Sequence, residues 1–370
     1  MQYKEFKDGI KLSCLGMGNM RLPVHDDENK TIDYELGQKM IDRCYEAGIN
    51  YYDTAYVYHG GKSEVFVGDA LAKYPRDSFY VADKFNYGAN PDFKAQFAEQ
   101  LARLKMDRID FYLMHAIMDS NIDNDLNCGC IEYFDQLKAE GKIKYFGFSF
   151  HGSVAALERM VAIRKWDFVQ IQFNYYDWYC GIADKLYKIL EDAGIPIMVM
   201  EPVHGGMLSK LDDDVKAVLG ADTDTEQAEW AMRWVLSHPQ IQVTLSGMGN
   251  MAMVEGNIKT FEEFKVLSPE EEALVEKTAK TMYSKIAVPC TVCRYCTPNC
   301  PMGLDIPEIL RYYNEYKLSG PWRLNAMKGW TPEKLPSACI GCGSCTGHCP
   351  QSFDIPKYMA ELAEQLANLK

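Results

Sequence analysis

The sequence predicts an α/β fold: eight parallel strands closed into a (β/α)8 barrel by the helices between them, followed by a smaller and mostly helical domain. Three observations carry this expectation. From residue 11 to about residue 265, short β-rich runs alternate with amphipathic helical stretches. After about residue 280 the chain turns rich in cysteine. The length of 370 residues also exceeds what one core usually fills, so two domains are expected, 1–280 and 281–370.

The strand-like runs are, in order, KLSCLGMG, INYYDTA, SFYVADK, IDFYLMH, KYFGFSF, DFVQIQFN, IPIMVME and QVTLSGM. Between them lie segments such as DYELGQKMIDRCYEAG, PDFKAQFAEQLARLKM and ADKLYKILEDAG, with apolar residues at helical spacing and glycine near their ends. Eight such units close naturally into a parallel barrel of about 250 residues. The alternative is an open doubly wound sheet. That fold would want G-x-G-x-x-G after the first strand, whereas GMGNM at 16–20 lacks the third glycine.

Barrels of this kind gather reactive groups where the strands end. Here those ends carry Asp53, Lys84, His115, His151, Asn174, Glu201 and Ser246. Asp53, Lys84 and His115 are spaced 31 residues apart, so they occupy equivalent places in three successive units. Adjacent strands lie about 4.8 Å apart. A carboxylate, an amine and an imidazole should therefore converge, with Tyr58 close behind Asp53. A lone Asp–Lys pair is more often a structural ion pair; three residues in register with a tyrosine are a stronger signal.

DTAYVYHGGKSE at 53–64, Lys84 in VADK and His115 in FYLMH together resemble the active-site signature of the aldo/keto reductases. The likeness continues through GFSFHG, QIQFNYYD, EPVHGGMLSK and SGMGNMAMVEGNI, and so covers most of the first 265 residues. It implies a catalytic tetrad of Asp53, Tyr58, Lys84 and His115. Carbonyl reduction needs hydride at carbon and a proton at oxygen. A free phenol has a pKa of about 10, and a cationic Lys84 should lower it. Asp53 would hold Lys84, His115 would orient the substrate oxygen, and Tyr58 would be general acid in reduction and general base in oxidation.

The resemblance further implies an NAD(P)(H) site. Ser149, Gln172 and Asn174 would hold the nicotinamide carboxamide, and the glycine-rich turn Ser246, Gly247, Gly249 and Asn250 would meet phosphate. Two features depart from the family. Met200 stands where an aromatic ring often covers the nicotinamide, and no lysine or arginine lies between Arg233 and Lys259 to meet an NADP phosphate. Preference for NADP therefore does not follow. Phe85, Tyr87, Ile117 and Met118 are expected to form an apolar rim for a small carbonyl or alcohol substrate.

Eight of the thirteen cysteines fall in CTVCRYCTPNCP at 290–301 and CIGCGSCTGHCP at 339–350. Both read C-x2-C-x2-C-x3-C-P, the spacing that binds paired [4Fe-4S] clusters in bacterial ferredoxins. Three thiolates wrap one cluster and the fourth reaches across. The expected ligand sets are Cys290, Cys293, Cys296 and Cys349 for one, and Cys339, Cys342, Cys345 and Cys300 for the other. Zinc also takes four thiolates, but the doubled triplet-plus-one pattern argues for iron–sulfur. An offset of 49 residues also carries Asp305 to Asp354 and Pro307 to Pro356, each opening an amphipathic helix. The residues between the cassettes, including YYNEYKLSGPWRLNAMKGW, are numerous enough to pack back on the barrel. Cys128 and Cys130 form a C-x-C with no nearby ligand to complete a site.

A net charge of −13 argues against nucleic acid as partner. No signal peptide or membrane span is read, so the expected compartment is the cytoplasm. Nicotinamide exchanges electron pairs and a cluster single electrons, so the two halves need a converter. A flavin would serve, although no flavin fingerprint is visible. The leading expectation is a carbonyl/alcohol oxidoreductase linked through its clusters to a ferredoxin-like or other redox partner. The alternatives are a ferredoxin-driven reductase with a vestigial nicotinamide site, an electron-transfer subunit, and clusters with a purely structural role.

Overall fold

A computed structural model describes residues 1–25, 31–290, 294–349 and 351–369. They form two compact units: Met1–Ser209 with Ala221–Glu276, and Lys210–Gly220 with Lys277–Lys370.

The first unit is a closed barrel. The expected first strand divides at Cys14. Strand β1 (Tyr3–Glu5) pairs antiparallel with β2 (Lys11–Ser13), and β3 (Leu15–Gly18) enters the barrel. The break arises because the Cys14 amide turns to the carbonyl of Gln2, while Ser13 and Asn50 bond each other through backbone and side chain. The barrel continues through β4 (Tyr51–Asp53), β5 (Tyr80–Phe85), β6 (Ile109–Ile117), β7 (Ile143–Phe150), β8 (Phe168–Gln172), β9 (Ile197–Met200) and β10 (Ile241–Ser246). These pair in parallel in chain order, and β10 closes on β3 with Thr244 opposite Leu15 and Ser246 opposite Met17.

Inward-facing side chains fill the cylinder: Tyr51, Ala82, Phe111, Leu113, Tyr145, Phe168, Met198, Val243 and Leu245. Phe6 and Leu12, from the β1–β2 hairpin, belong to the same cluster. Phe111 is its centre, with ring centroids 4.9 Å from both Tyr51 and Tyr145 and 5.2 Å from Phe168. Such offset and edge contacts add about 0.5–1.5 kcal/mol each beyond area burial. Gly147 is required by packing, since a Cβ there would stand 2.3 Å from the Phe168 carbonyl oxygen. The surrounding helices start on side-chain caps, among them Asp33, Asp92, Ser153 and a Thr223–Glu226 capping box.

The second unit contains no strand among its described residues. Helices Ile306–Ser319 and Ile355–Ala367 both begin just after an aspartate and carry proline in the first turn, as the 49-residue repeat predicts. Ile306, Ile309, Leu310 and Tyr313 pack with Ile355, Met359 and Leu362 in one core. Leu324 and Met327 from the segment between the cassettes also lie in this core. Among the described residues no helix is long and apolar enough to cross a membrane.

Candidate active site and cysteine-lined cavity

Asp53 ends β4, Lys84 lies near the end of β5, and His115 lies in β6 beside a register shift between Met114 and Ile117. Such a bulge re-aims the side chains next to it. Tyr58 follows β4 in the tight turn Tyr58–Gly61. The Lys84 ammonium donates to Asp53 Oδ1 at 2.7 Å and to the Thr54 carbonyl at 2.5 Å. It lies 5.0 Å from the Tyr58 ring centroid, and the Tyr58 and His115 rings meet edge to face at 6.0 Å. The four side chains are thus gathered at one end of the barrel.

Lys84 is fully buried and Asp53 is 3% exposed. Burial opposes charge on Lys84, but Asp53 and Tyr58 together hold its pKa above the ordinary value. Burial likewise pushes Asp53 up against the pull of Lys84. The expectation for Tyr58 needs correcting. Burial raises the phenol above 10, and Lys84 offsets this only in part. Desolvation of the phenolate outweighs one nearby cation, so near neutrality Tyr58 carries its proton. The adjacent carboxyl, Asp83, is raised well above the carboxylate range by burial and by Glu64, which hydrogen-bonds it. Glu64 in turn accepts from Arg103 at 2.6 Å.

His115 is lowered to about 3 by burial and by the charges of Lys84 and His151. Its folded value is depressed, so its contribution to stability is present above pH 6.5 and is lost as pH falls toward 3. Wild type should therefore lose stability relative to His115→Gln across this window, by up to about 1.4 kcal/mol per pH unit. Urea midpoints for both proteins at pH 7 and pH 5 check this, and parallel slopes would refute a neutral buried imidazole.

The residues expected to meet a nicotinamide lie at neighbouring strand ends, with differing freedom. Ser149 Oγ accepts from the Ala116 amide at 2.8 Å and keeps its own hydrogen to donate. Gln172 donates to Asp177 at 2.7 Å. Asn174, expected to end a strand, instead follows it and caps the helix Tyr175–Cys180. Its amide donates to Asp177 at 2.6 Å and to the Glu201 carbonyl at 3.0 Å, and its oxygen accepts from the Asp177 amide. Both amide protons of Asn174 are thus committed within the protein, while its oxygen keeps one lone pair. Asp177 is half-buried, and its carboxylate is held below the usual range by His204, Gln172 and Asn174 against the cost of desolvation.

At the end of β10, Ser246 Oγ accepts from Asn257 at 2.8 Å, and Asn250 caps the helix Met251–Glu262. Gly247 and Gly249 lie between them. The Arg21 side chain packs against Gly247, where a Cβ would meet it at 3.1 Å, and its guanidinium stands 3.9 Å from Glu201. A cation therefore does border the glycine-rich turn. It comes from the turn after β3, not from the chain after β10. Of the expected substrate rim, Phe85 and Ile117 are fully buried, with Phe85 against Phe134 at 5.5 Å, because strand alternation turns them into packing. Tyr87 is half-buried and Met118 is exposed, so these two remain accessible.

In the second unit, Cys300, Cys339, Cys342 and Cys345 line one cavity with Met302, Leu304, Ile340 and Met359 among its walls. The donor set, four thiols from both cassettes in an apolar cradle, suits a thiolate-ligated cluster. Cys345 is raised by burial and by the neighbouring Cys339. Among the described residues no three acidic, histidine or cysteine side chains converge tightly enough to hold a single ion. Cys290, Cys296 and Cys349 join the core of the same unit, and Cys293 lies outside the described residues. His348 bonds the Ser344 carbonyl and Arg294 pairs with Asp305, so both are engaged locally. Cys128 and Cys130 both point to the Asp125 carbonyl, at 3.3 and 3.5 Å.

Parallel barrel, strand-end tetrad and cysteine cassettes define an oxidoreductase with an added iron–sulfur module. Residues 14–280 match the model of the aldo/keto reductase family, and the chain belongs to that family. Residues 289–353 match the 4Fe-4S dicluster domain. An uncharacterized oxidoreductase of Bacillus subtilis (strain 168) is 25% identical over an alignment of 310 positions that covers 74% of this chain and 95% of that one. The NADH-specific methylglyoxal reductase of Escherichia coli (strain K12) is 26% identical over an alignment of 220 positions that covers 54% of this chain and 66% of that one. Among solved structures, the holo form of aldo-keto reductase AKR11C1 from Bacillus halodurans superposes with a TM-score of 0.61 at 25% identity, covering 75% of this chain and 96% of that one.

Proposed function

We propose that the first 280 residues reduce a small aldehyde or ketone, or oxidise the corresponding alcohol, with Tyr58 as the proton donor and acceptor. The observation that carries this reading is the Lys84 ammonium, 2.7 Å from Asp53 and 5.0 Å from the Tyr58 ring, with His115 against the same phenol. A reduced nicotinamide would supply the hydride. Tyr58 holds its proton near neutrality and gives it to the substrate oxygen as charge develops there. Lys84 then stabilises the phenolate left behind, and Asp53 keeps Lys84 charged and aimed. His115, neutral, orients the oxygen. Ser149 and Gln172 keep donors, and Asn174 a lone pair on its oxygen, to bind the carboxamide, and the turn from Ser246 to Asn250 with Arg21 would face the phosphates. The similarity to a relative named as an NADH-specific methylglyoxal reductase supports a carbonyl substrate and leaves NADP preference unneeded.

Residues 281–370 would hold two [4Fe-4S] clusters, on Cys290, Cys293, Cys296 and Cys349 and on Cys339, Cys342, Cys345 and Cys300. These clusters would supply one-electron exchange with a ferredoxin-like or other redox partner in the cytoplasm. Cys342→Ala is expected to halve the bound iron and acid-labile sulfide; an unchanged iron content would refute its place as a ligand.

The test of the whole reading is turnover by the anaerobically purified full-length chain. Carbonyl-dependent oxidation of NADH or NADPH across a panel of aldehydes and ketones is expected, and the same spectra report any flavin. One observation favours a second reading, the ferredoxin-driven reductase: both donors of Asn174 are committed, to Asp177 and Glu201. That reading predicts turnover with a reduced ferredoxin and no measurable nicotinamide binding. Tight binding of NADH coupled to carbonyl reduction would eliminate it.

A further inference from the structure

The loop after β5 places a residue against His115 that has no part in the tetrad. Asn86 Nδ2 lies 3.3 Å from His115 Nδ1. A neutral imidazole carries its proton on one nitrogen only, and the partner of the other nitrogen decides which. The Asn86 amide could present either its oxygen or its nitrogen to the ring, so its orientation has to be fixed by something else.

That something is the turn it opens. Asn86 Oδ1 accepts from the Ala89 amide at 2.9 Å. Reversing the side-chain amide would set its NH2 against the Ala89 N–H, donor to donor, and its oxygen against the ring. The backbone is pinned as well. The Asn86 amide donates to Gln96 Oε1 at 2.7 Å, and Gln96 Nε2 donates back to the Asn86 carbonyl at 3.0 Å and to the Asn90 carbonyl at 2.8 Å. Gln96 is fully buried on the helix Phe93–Leu104, so this clamp is shielded from water. The side chain and backbone of Asn86 are therefore determined by groups on its own loop and helix, independently of His115.

We infer that Asn86 is a positioning residue that selects the His115 tautomer: its NH2 donates to Nδ1 and leaves the single ring proton on Nε2. The inference rests on the proposed role of His115 only for its consequence. An imidazole with its proton on Nε2 is a hydrogen-bond donor at that atom. The other tautomer presents a lone pair there and repels a carbonyl oxygen. The burial that keeps His115 neutral makes this choice matter, because an imidazolium would donate from both nitrogens.

The test separates the tautomer from the chemistry. Nitrogen-15 NMR of the ring in the full-length resting protein, assigned by its loss in His115→Gln, reads the tautomer with neither nucleotide nor substrate present. Wild type should show the proton on Nε2. Asn86→Asp, the same shape with acceptors only, should move it to Nδ1 or protonate the ring, and should lower kcat by about 10- to 100-fold with a smaller change in KM. A proton on Nδ1 in wild type, or an unaltered ring in Asn86→Asp, would overturn the inference. A ring that changes as expected while kcat holds would instead overturn the substrate-orienting role of His115, leaving the control by Asn86 intact.

Discussion

Replacing Tyr58 with phenylalanine is expected to lower kcat for carbonyl reduction by about 10²- to 10⁴-fold, the usual worth of a positioned general acid. The variant removes one oxygen and keeps the ring, so the edge-to-face contact with His115 and the position of the ring beside Lys84 should persist. Substrate and nucleotide affinity should change little, because the lost bond strengthens only as charge develops on the substrate oxygen. Cluster absorption and iron content should match wild type. Single-turnover rates measured with anaerobic protein check the prediction. A Tyr58→Phe variant that retains wild-type kcat would remove the phenol from the mechanism. The proposed reading of the barrel as a proton-and-hydride catalyst would fall with it.

Lys84→Met should cost stability as well as activity. Lys84 and Asp53 are both buried, and methionine fills much of the lysine volume while deleting the ammonium. Removing one member of a buried pair leaves the other as an uncompensated charge, a loss of about 3–5 kcal/mol. Asp53 is already pushed upward by burial, so without Lys84 it should take up a proton in part relief. Adding Asp53→Asn to Lys84→Met should recover more than half of the stability and none of the activity. Denaturant titration of the single and double variants gives the answer. A single variant as stable as wild type would mean that the pair is more hydrated than its burial indicates.

The barrel was legible because strand-length β-rich runs and amphipathic helices alternate eight times, and no other common fold needs that count. The division of the first run at Cys14 was not legible, since KLSCLGMG reads as one strand and only the pairing of Tyr3–Glu5 with Lys11–Ser13 breaks it. The gathering of Asp53, Lys84 and His115 followed from equal spacing in successive units, and that of Tyr58 from its place close behind Asp53. Asn86, Asp83 and Arg21 gave no such signal. Asn86 acts through a loop whose shape depends on a buried glutamine ten residues away. Asp83 reads as a strand residue whose carboxyl is raised by burial and by Glu64 from a different element. Arg21 borders the glycine-rich turn only because the cylinder brings the end of β3 beside the end of β10. Local sequence records spacing; it does not record who becomes whose neighbour on closure.

That closure also sets a timetable for the chain as it is made. Leu15 and its partner Thr244 are separated by about 230 residues, which a ribosome adds at some 5–20 per second. The seam at β3 must therefore stay unzipped for roughly 10–50 s of synthesis. During that interval Tyr51–Asp53, Tyr80–Phe85 and Ile109–Ile117 have already emerged in sequence, so the segments bearing Asp53, Lys84 and His115 can associate while one flank of the growing sheet still lacks its mate. The longest-lived hazard during biogenesis is then that bare flank, and ligation of iron comes after it.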